Sequence, residues 1–160
     1  MNMKKIYTVL IAVACGASAL AQDIPFDKNY FINQKDAFKQ AYSDFKDGEA
    51  NYNKGYYYEA LESYLEAQKF NPNYSTLNYR IGVCYMNLSA KYRSLDFFEK
   101  AYQLRRDVAD DIHLMLARGY HLNNQFDKAI AEYKAHLAVL APVDAPTMRP
   151  LIEKYIAECN

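Results

Sequence analysis

The sequence predicts an all-α fold, a right-handed α-solenoid in which about three helical hairpins stack side by side and a C-terminal helix caps the stack. Along most of the chain, apolar residues recur three and four positions apart, as they do on one face of a helix. Glycine, asparagine and proline separate these helical stretches. The composition also fits stacked helices, because 16 of the 160 residues are tyrosine, an amphipathic ring that fills space between helices.

One hairpin pattern recurs along the chain. Its clearest copy covers residues 48–72, where Pro72, which has no backbone N–H, ends the second helix. Shifting the chain by 34 and then by 35 residues aligns Gly48 with Gly82 and Ala117, Ala60 with Ser94 and Ala129, and Tyr64 with Phe98 and Tyr133. In this period and this code of small and aromatic residues, the chain resembles the tetratricopeptide repeat over about residues 41–140. The resemblance implies repeats at about 41–74, 75–108 and 110–141, within a repeat domain of residues 34–160.

The first 21 residues have the pattern of a signal peptide. Lys4 and Lys5 precede an apolar run, and residues 19–21 (ALA) form a cleavage site before Gln22. We therefore expect an exported protein, in the periplasm or on the periplasmic face of the outer membrane. The alternative, lipid attachment at Cys15, fits less well because it leaves a leader of only 14 residues and has Ala12 where leucine is usual.

The mature chain is expected to begin with an extended N-terminal segment, residues 22–33. Helices are predicted at 34–53, 57–70, 75–88, 92–104, 110–122, 126–140 and 147–159, with Asn33, Ser75 and Thr147 as caps. The first helix is longer than its equivalents, and we expect its extra turns, which carry Phe38, to cover the N-terminal end of the stack. The last helix is amphipathic and is predicted to cap the other end, with Pro150 in its first turn. The alternative is that it binds a partner.

Two cysteines, Cys84 and Cys159, follow the leader. The predicted hairpins place them too far apart for a disulfide, which requires Cα atoms within about 7 Å. We therefore expect two free thiols, with Cys84 buried.

Composition excludes several classes of function. Without the leader, 17 basic residues face 19 acidic ones, a net charge of −2 that provides no basic field for nucleic acid. The apolar part of the leader is too short to span a bilayer, so no transmembrane helix is expected after its removal. Catalytic and phosphate-binding motifs are absent from the sequence, so we predict neither an enzyme nor a cofactor. The sequence does not indicate an oligomeric state.

The histidines are the residues to weigh as metal ligands or acid–base groups. His113 and His121 stand eight residues apart on one predicted helix, whereas zinc ligands on a helix are usually three or four apart. We therefore predict partly exposed helical histidines and no metal site. The alternative is a metal or small-ligand site in the groove around His121 and Arg118.

In the tetratricopeptide family the first helices of successive repeats line a concave groove. That resemblance places thirteen residues on the groove: Tyr42, Phe45, Glu49, Tyr52, Thr76, Tyr79, Val83, Met86, Asn87, Asp111, Leu114, Arg118 and His121. All except Thr76 and Asp111 are taken as candidate partner-binding residues, with Arg118 as the one prominent cation. Because Phe45 and Tyr79 stand where the family's carboxylate clamps have lysine, a C-terminal carboxylate is not the expected ligand. The alternative is that the chain's own terminal segments cover these aromatic residues.

A narrower resemblance is carried by NYRIGVCYMNL (78–88), FFEKAYQL (97–104), ARGYHLNNQFDKAIAEY (117–133) and IEKYIAEC (152–159). These segments are similar to the N-terminal repeat domains of exported Bacteroidetes envelope proteins. In that group a β-propeller and an outer-membrane-protein-A-like domain that binds peptidoglycan commonly follow, and some members serve type IX secretion. No residue here corresponds to those domains, so peptidoglycan binding is not carried over. The expected function is a non-enzymatic adaptor that binds another envelope protein or peptide segment.

Overall fold

A computed structural model describes residues 22–160 of the protein. The predicted signal peptide, with Cys15, lies outside the described residues. Within them the structure contains seven α-helices and two short 3-10 helices and no strand. The α-helices are α1 (Lys35–Asn53), α2 (Tyr57–Phe70), α3 (Ser75–Asn87), α4 (Ser94–Leu104), α5 (Ile112–Leu122), α6 (Phe126–Val139) and α7 (Ala145–Glu158), and the 3-10 helices are Lys28–Phe31 and Lys91–Arg93.

Neighbouring helices pack as pairs, which confirms the predicted all-α fold. The most extensive packing is within the hairpins α1/α2, α3/α4 and α5/α6. The hairpins are joined in a row, because α2 also packs against α3, α4 against α5, and α6 against α7. The result is a solenoid-like stack in which most contacts are made between helices that follow one another in sequence.

The repeated small residues of the first helices lie against the repeated aromatic rings of the second helices. A Cβ atom added to Gly48 would lie 2.5 Å from Cδ1 of Tyr64, and one added to Gly82 would lie 2.6 Å from Cε1 of Phe98. Both rings are fully buried. The first two hairpins therefore close to a distance at which only glycine fits beneath the ring.

The third hairpin keeps the aromatic residue, but larger residues occupy two of the positions that are small in the other hairpins. Ala117 and Tyr133 occupy the equivalent places and belong to one buried cluster. On the second helices, Ala67 and Ala101 are fully buried, whereas the equivalent residue of α6 is His136, also buried. A polar ring thus stands where the other hairpins pack a methyl group.

The predicted caps Asn33, Ser75 and Thr147 do not act as such. Gln34, Tyr74 and Asp144 occupy the cap positions, and no side chain among them makes a capping hydrogen bond. Helix α7 begins two residues before the predicted start, so Pro150 lies inside the helix rather than in its first turn. The segment predicted as extended contains the 3-10 turn at Lys28–Phe31.

Both cysteines in the described residues are free and buried. Cys84 is fully enclosed in the middle of α3, and burial raises the pKa of its thiol to about 12. It therefore packs as a small apolar residue. Among residues 22–160, none of the helices combines the length and the apolarity that crossing a bilayer requires.

Candidate binding face

The predicted binding residues lie on α1, α3 and α5, and we call this surface the first-helix face. Its first end is partly covered by the chain itself. The Phe26 ring lies 5.2 Å from that of Phe45, 6.2 Å from Tyr42 and 6.3 Å from Phe38, measured between centroids. The N-terminal segment, residues 22–27, therefore takes up apolar surface of Phe45, which is half-buried, whereas Tyr42 remains 40% exposed.

Polar contacts hold the N-terminal segment against the loop between α2 and α3. The backbone N–H of Ile24 donates to the carbonyl of Asn73 at 2.7 Å, and the side-chain amide of Asn71 donates to the carbonyl of Ile24 at 2.7 Å. The Asp23 carboxylate accepts hydrogen bonds of 2.8 Å from both the N–H and the hydroxyl of Ser75. Asp23 thus accepts the hydrogen bonds of Ser75, a buried residue at the start of α3, as the side chain of an N-cap residue would.

The middle of the face is organised by Arg80, a residue that the sequence pattern does not identify. Its Nε donates to Glu49 Oε1 at 3.1 Å, and its guanidinium carbon lies 4.4 Å from the centroid of the Tyr52 ring. The same Glu49 oxygen accepts a hydrogen bond from the Tyr64 hydroxyl. Arg80 lies four residues after Thr76 and three before Val83, so helical periodicity is compatible with a place on the face although the prediction left it out. The prediction of Arg118 as the one prominent cation is therefore wrong.

Burial and the carboxylate of Glu49 both raise the pKa of the Tyr64 hydroxyl well above 10. Burial and the carboxylate of Asp111, which accepts from the Tyr79 hydroxyl at 2.6 Å, have the same effect on the pKa of Tyr79. Both phenols stay protonated at neutral pH and act as hydrogen-bond donors that tie α1 to α2 and α3 to the start of α5.

Three predicted face residues of α3 differ in their accessibility. Met86 is buried in the cluster that contains Phe98 and Leu116, so its side chain is not available to a partner. Val83 is half-buried, and Asn87 is exposed, with its amide donating to the Val83 carbonyl at 2.9 Å. The part of α3 that remains open to a partner is therefore its C-terminal end.

On α5, Arg118 and His121 border a small cavity of about 220 Å³, whose wall also includes Lys91, Tyr155 and Glu158. Two of these residues, Tyr155 and Glu158, belong to α7, so the C-terminal helix forms one side of the cavity. The remaining candidate, Leu114, is half-buried and packs against the cluster shared by α6 and α7. The C-terminal helix covers part of this end of the face.

A larger cavity of about 710 Å³, which the sequence did not predict, lies at the other end of the third hairpin. It is bounded by the loop before α5, the start of α5, the end of α6 and the start of α7, and we call it the third-hairpin cleft. His136 forms part of its wall, and no hydrogen-bond partner reaches the buried Nδ1 of that ring within the described chain. Burial lowers the pKa of His136 below its usual 6.5, partly opposed by Asp111.

The histidines do not form a metal centre in the described part of the protein. His113 Nδ1 lies 2.6 Å from the Glu132 carboxylate on α6, and His121 Nδ1 lies 3.5 Å from the Tyr133 hydroxyl. Among residues 22–160, no three histidine, cysteine, aspartate or glutamate side chains are grouped to hold a metal ion.

The comparisons with known proteins identify no relative. No protein-family model matches the chain, and no curated protein matches it significantly. Membership of the tetratricopeptide family and of the envelope-protein group therefore remains a prediction from the repeated residues, while the all-α fold rests on the packed helices described above.

Proposed function

We propose that this protein is a non-enzymatic scaffold that binds another protein, built from tetratricopeptide-type repeats and exported to the bacterial cell envelope. Export is inferred from the pattern of residues 1–21. A link to outer-membrane or type IX secretion assembly follows only from the resemblance of the repeat segments to envelope proteins.

The observation that carries the proposal is the row of first helices. Helices α1, α3 and α5 come from three stacked hairpins, and their face mixes half-buried aromatic rings with the charges of Glu49, Arg80 and Arg118. Surfaces with aromatic and arginine residues are favoured in protein interfaces. Solenoids use such extended surfaces to hold partner segments.

Site-specific photo-crosslinking tests this function. A crosslinking amino acid at Asn87, which is exposed at the open end of α3, should capture a defined protein from the envelope fraction. The matched control is Gln103, exposed on the second helix α4, which should capture none. Equal capture from both positions, or none from Asn87, would contradict binding at the first-helix face.

The cavity beside His121 and Arg118 favours a second candidate, the binding of a small ligand. Its wall carries the cations of Lys91 and Arg118 against one carboxylate, that of Glu158, which suits a small anion. Calorimetry with phosphate, succinate and Zn²⁺ tests it. Heat of binding that disappears in Arg118→Met supports this candidate, and no heat from any of the three removes it.

A further inference from the structure

The third-hairpin cleft is the repeat equivalent of the site that the N-terminal segment fills in the first hairpin. The shifts of 34 and 35 residues, applied one after the other, align the residues that contact Phe26 and Ile24 with residues of the cleft wall. Tyr42 aligns with Asp111, Phe45 with Leu114, Phe70 with Val139, and Asn71 with Leu140. Both sites lie between the two helices of a hairpin and the first helix after it.

The first site shows what such a place accommodates. There the chain turns at Phe26, where the backbone N–H of Asp27 donates to the Pro25 carbonyl at 2.8 Å. The Phe26 ring packs against rings of α1 and α2, and the backbone of Ile24 exchanges hydrogen bonds with Asn73 and Asn71. A short peptide segment that turns at one large apolar side chain is thus the occupant that this hairpin geometry already holds once.

The wall of the third-hairpin cleft contains a polar group with nothing to bind in the described chain. His136 is 6% exposed, and its Nδ1 has no hydrogen-bond partner. Ala67, its equivalent in the first hairpin, has no such group to satisfy. A buried ring nitrogen without a partner is rare in folded proteins and calls for a partner that the described chain does not supply.

The charge of the cleft differs from that of the first site. Four aspartates, Asp107, Asp110, Asp111 and Asp144, border it, together with one arginine, Arg106. The guanidinium of Arg106 lies 4.3 Å from the centroid of the Tyr102 ring. This excess of carboxylates attracts a cationic ligand.

Charge also argues against a second copy of this chain as the occupant. The N-terminal segment of a second copy would bring Asp23 and Asp27 to a site already rich in carboxylates. A segment of another protein that carries lysine or arginine fits better.

We propose that the third-hairpin cleft binds a short basic peptide segment of a partner protein, with a large apolar side chain of that segment between α5 and α6. In this arrangement the lysine or arginine side chains of the peptide lie against Asp107 and Asp144, and His136 Nδ1 shares a hydrogen bond with the peptide. The proposal rests on the proposed function, the binding of a protein, and adds the chemistry of the bound segment.

The test uses two capped peptides that follow the sequence of the N-terminal segment, KIPFK and DIPFD, titrated into the protein and followed by calorimetry. KIPFK should bind with a Kd of roughly 1 mM or tighter, and DIPFD at least about tenfold more weakly. The double variant Asp107→Lys/Asp144→Lys should weaken KIPFK binding by at least about tenfold. The control Asp47→Lys/Glu62→Lys makes the same change in net charge at exposed positions of the first hairpin and should leave binding unchanged.

His136→Ala gives a second measurement that does not depend on charge. The variant should fold, because alanine occupies the equivalent buried position in the other two hairpins, and it should weaken KIPFK binding several-fold. Three results would overturn the proposal. The first is equal binding of both peptides, and the second is no binding of KIPFK at concentrations several times the expected limit of roughly 1 mM for its Kd. The third is no effect of the Asp107/Asp144 variant on KIPFK binding. The proposal would also be overturned if spermidine displaced KIPFK and bound as tightly as KIPFK does, because this would indicate a site for small cations. Failure here with capture still observed from Asn87 would leave the proposed function standing.

Discussion

Glycine beneath an aromatic ring sets how closely each of the first two hairpins closes. Helix propensity alone would favour alanine at such a position by about 1 kcal/mol. At Gly48 and Gly82, however, the added methyl carbon would lie within 2.7 Å of two atoms of the facing ring, which is buried on all sides. Packing and helix propensity therefore oppose each other at these positions. The sign of the change in unfolding free energy when glycine is replaced by alanine shows which of the two dominates.

We expect Gly82→Ala to lower the free energy of unfolding by about 1–3 kcal/mol, because the Phe98 ring must move in a filled core. Urea denaturation measures it. Combining the change with Phe98→Leu, which makes room, should recover part of the loss. A variant as stable as the wild type, or more stable, would contradict the close approach.

His136 predicts a dependence of stability on acid. Because burial lowers its pKa in the folded state, the unfolded chain binds a proton at a higher pH than the folded chain does. Stability should therefore fall as the pH drops below about 6.5, by up to about 1.4 kcal/mol per pH unit until the folded-state pKa is reached. The difference in unfolding free energy between His136→Ala and the wild type, measured from pH 7.5 to 5, should shift in favour of the variant. Parallel curves would mean that His136 titrates normally.

At the scale of elements, the N-terminal segment acts as part of the first two hairpins although it contains no α-helix. Asp23 binds the first residue of α3, and Phe26 joins the aromatic cluster of α1 and α2. The start of α3 thus depends on residues about fifty positions earlier in the chain.

Asp23→Ala should destabilise the protein by about 1–2 kcal/mol, since it leaves the buried N–H and hydroxyl of Ser75 without partners. Hydrogen exchange should show the loss first at the start of α3. The control is Asp27→Ala, which removes only an exposed hydrogen bond to Asn29 and should cost less than about 0.5 kcal/mol. Equal effects of the two changes would show that Asp23 does not cap α3.

The helices were predictable because their signals are local and repeated. Gly48 and Gly82, like Tyr64 and Phe98, recur at a fixed interval, so the repeat could be predicted from the sequence. The contact of each glycine with a ring is shown only by the structure. The contact between Asp23 and Ser75 could not, because it occurs once and joins distant residues. Periodicity also assigned Met86 to the first-helix face. Its position along α3 agrees with the helical spacing, but the cluster around Phe98 buries its side chain.

At the scale of the whole molecule, phenol–carboxylate hydrogen bonds link helices that are not otherwise joined by charge. The Tyr64 hydroxyl donates to Glu49, that of Tyr79 to Asp111, and that of Tyr120 to Glu99. The first bond lies within the first hairpin, and the other two join the second hairpin to the third. Because solenoid repeats contact mainly their neighbours, such links affect how cooperatively the stack unfolds.

These links predict loss of stability in alkali. Burial, together with the carboxylates, raises the pKa of Tyr64 and Tyr79 well above 10, and burial raises the pKa of Tyr133 to about 12. Below pH 10 these phenols are protonated in both states, so their contribution to stability is fully present. Above about pH 10 the unfolded chain releases protons that the folded chain keeps, and the free energy of unfolding falls by up to about 1.4 kcal/mol per pH unit for each group.

Ultraviolet absorbance of tyrosinate, recorded with circular dichroism during a pH titration, measures this effect. Tyrosine in water ionises near pH 10. The buried phenols should ionise only as helicity is lost. Tyr79→Phe should reduce the absorbance change that accompanies the loss of helicity, whereas the control Tyr58→Phe, which changes an exposed ring, should leave that change as it is. If all the tyrosines ionised in one step with helicity retained, the buried phenol–carboxylate links would not exist in solution. The stack would then be held together by apolar packing between neighbouring helices alone.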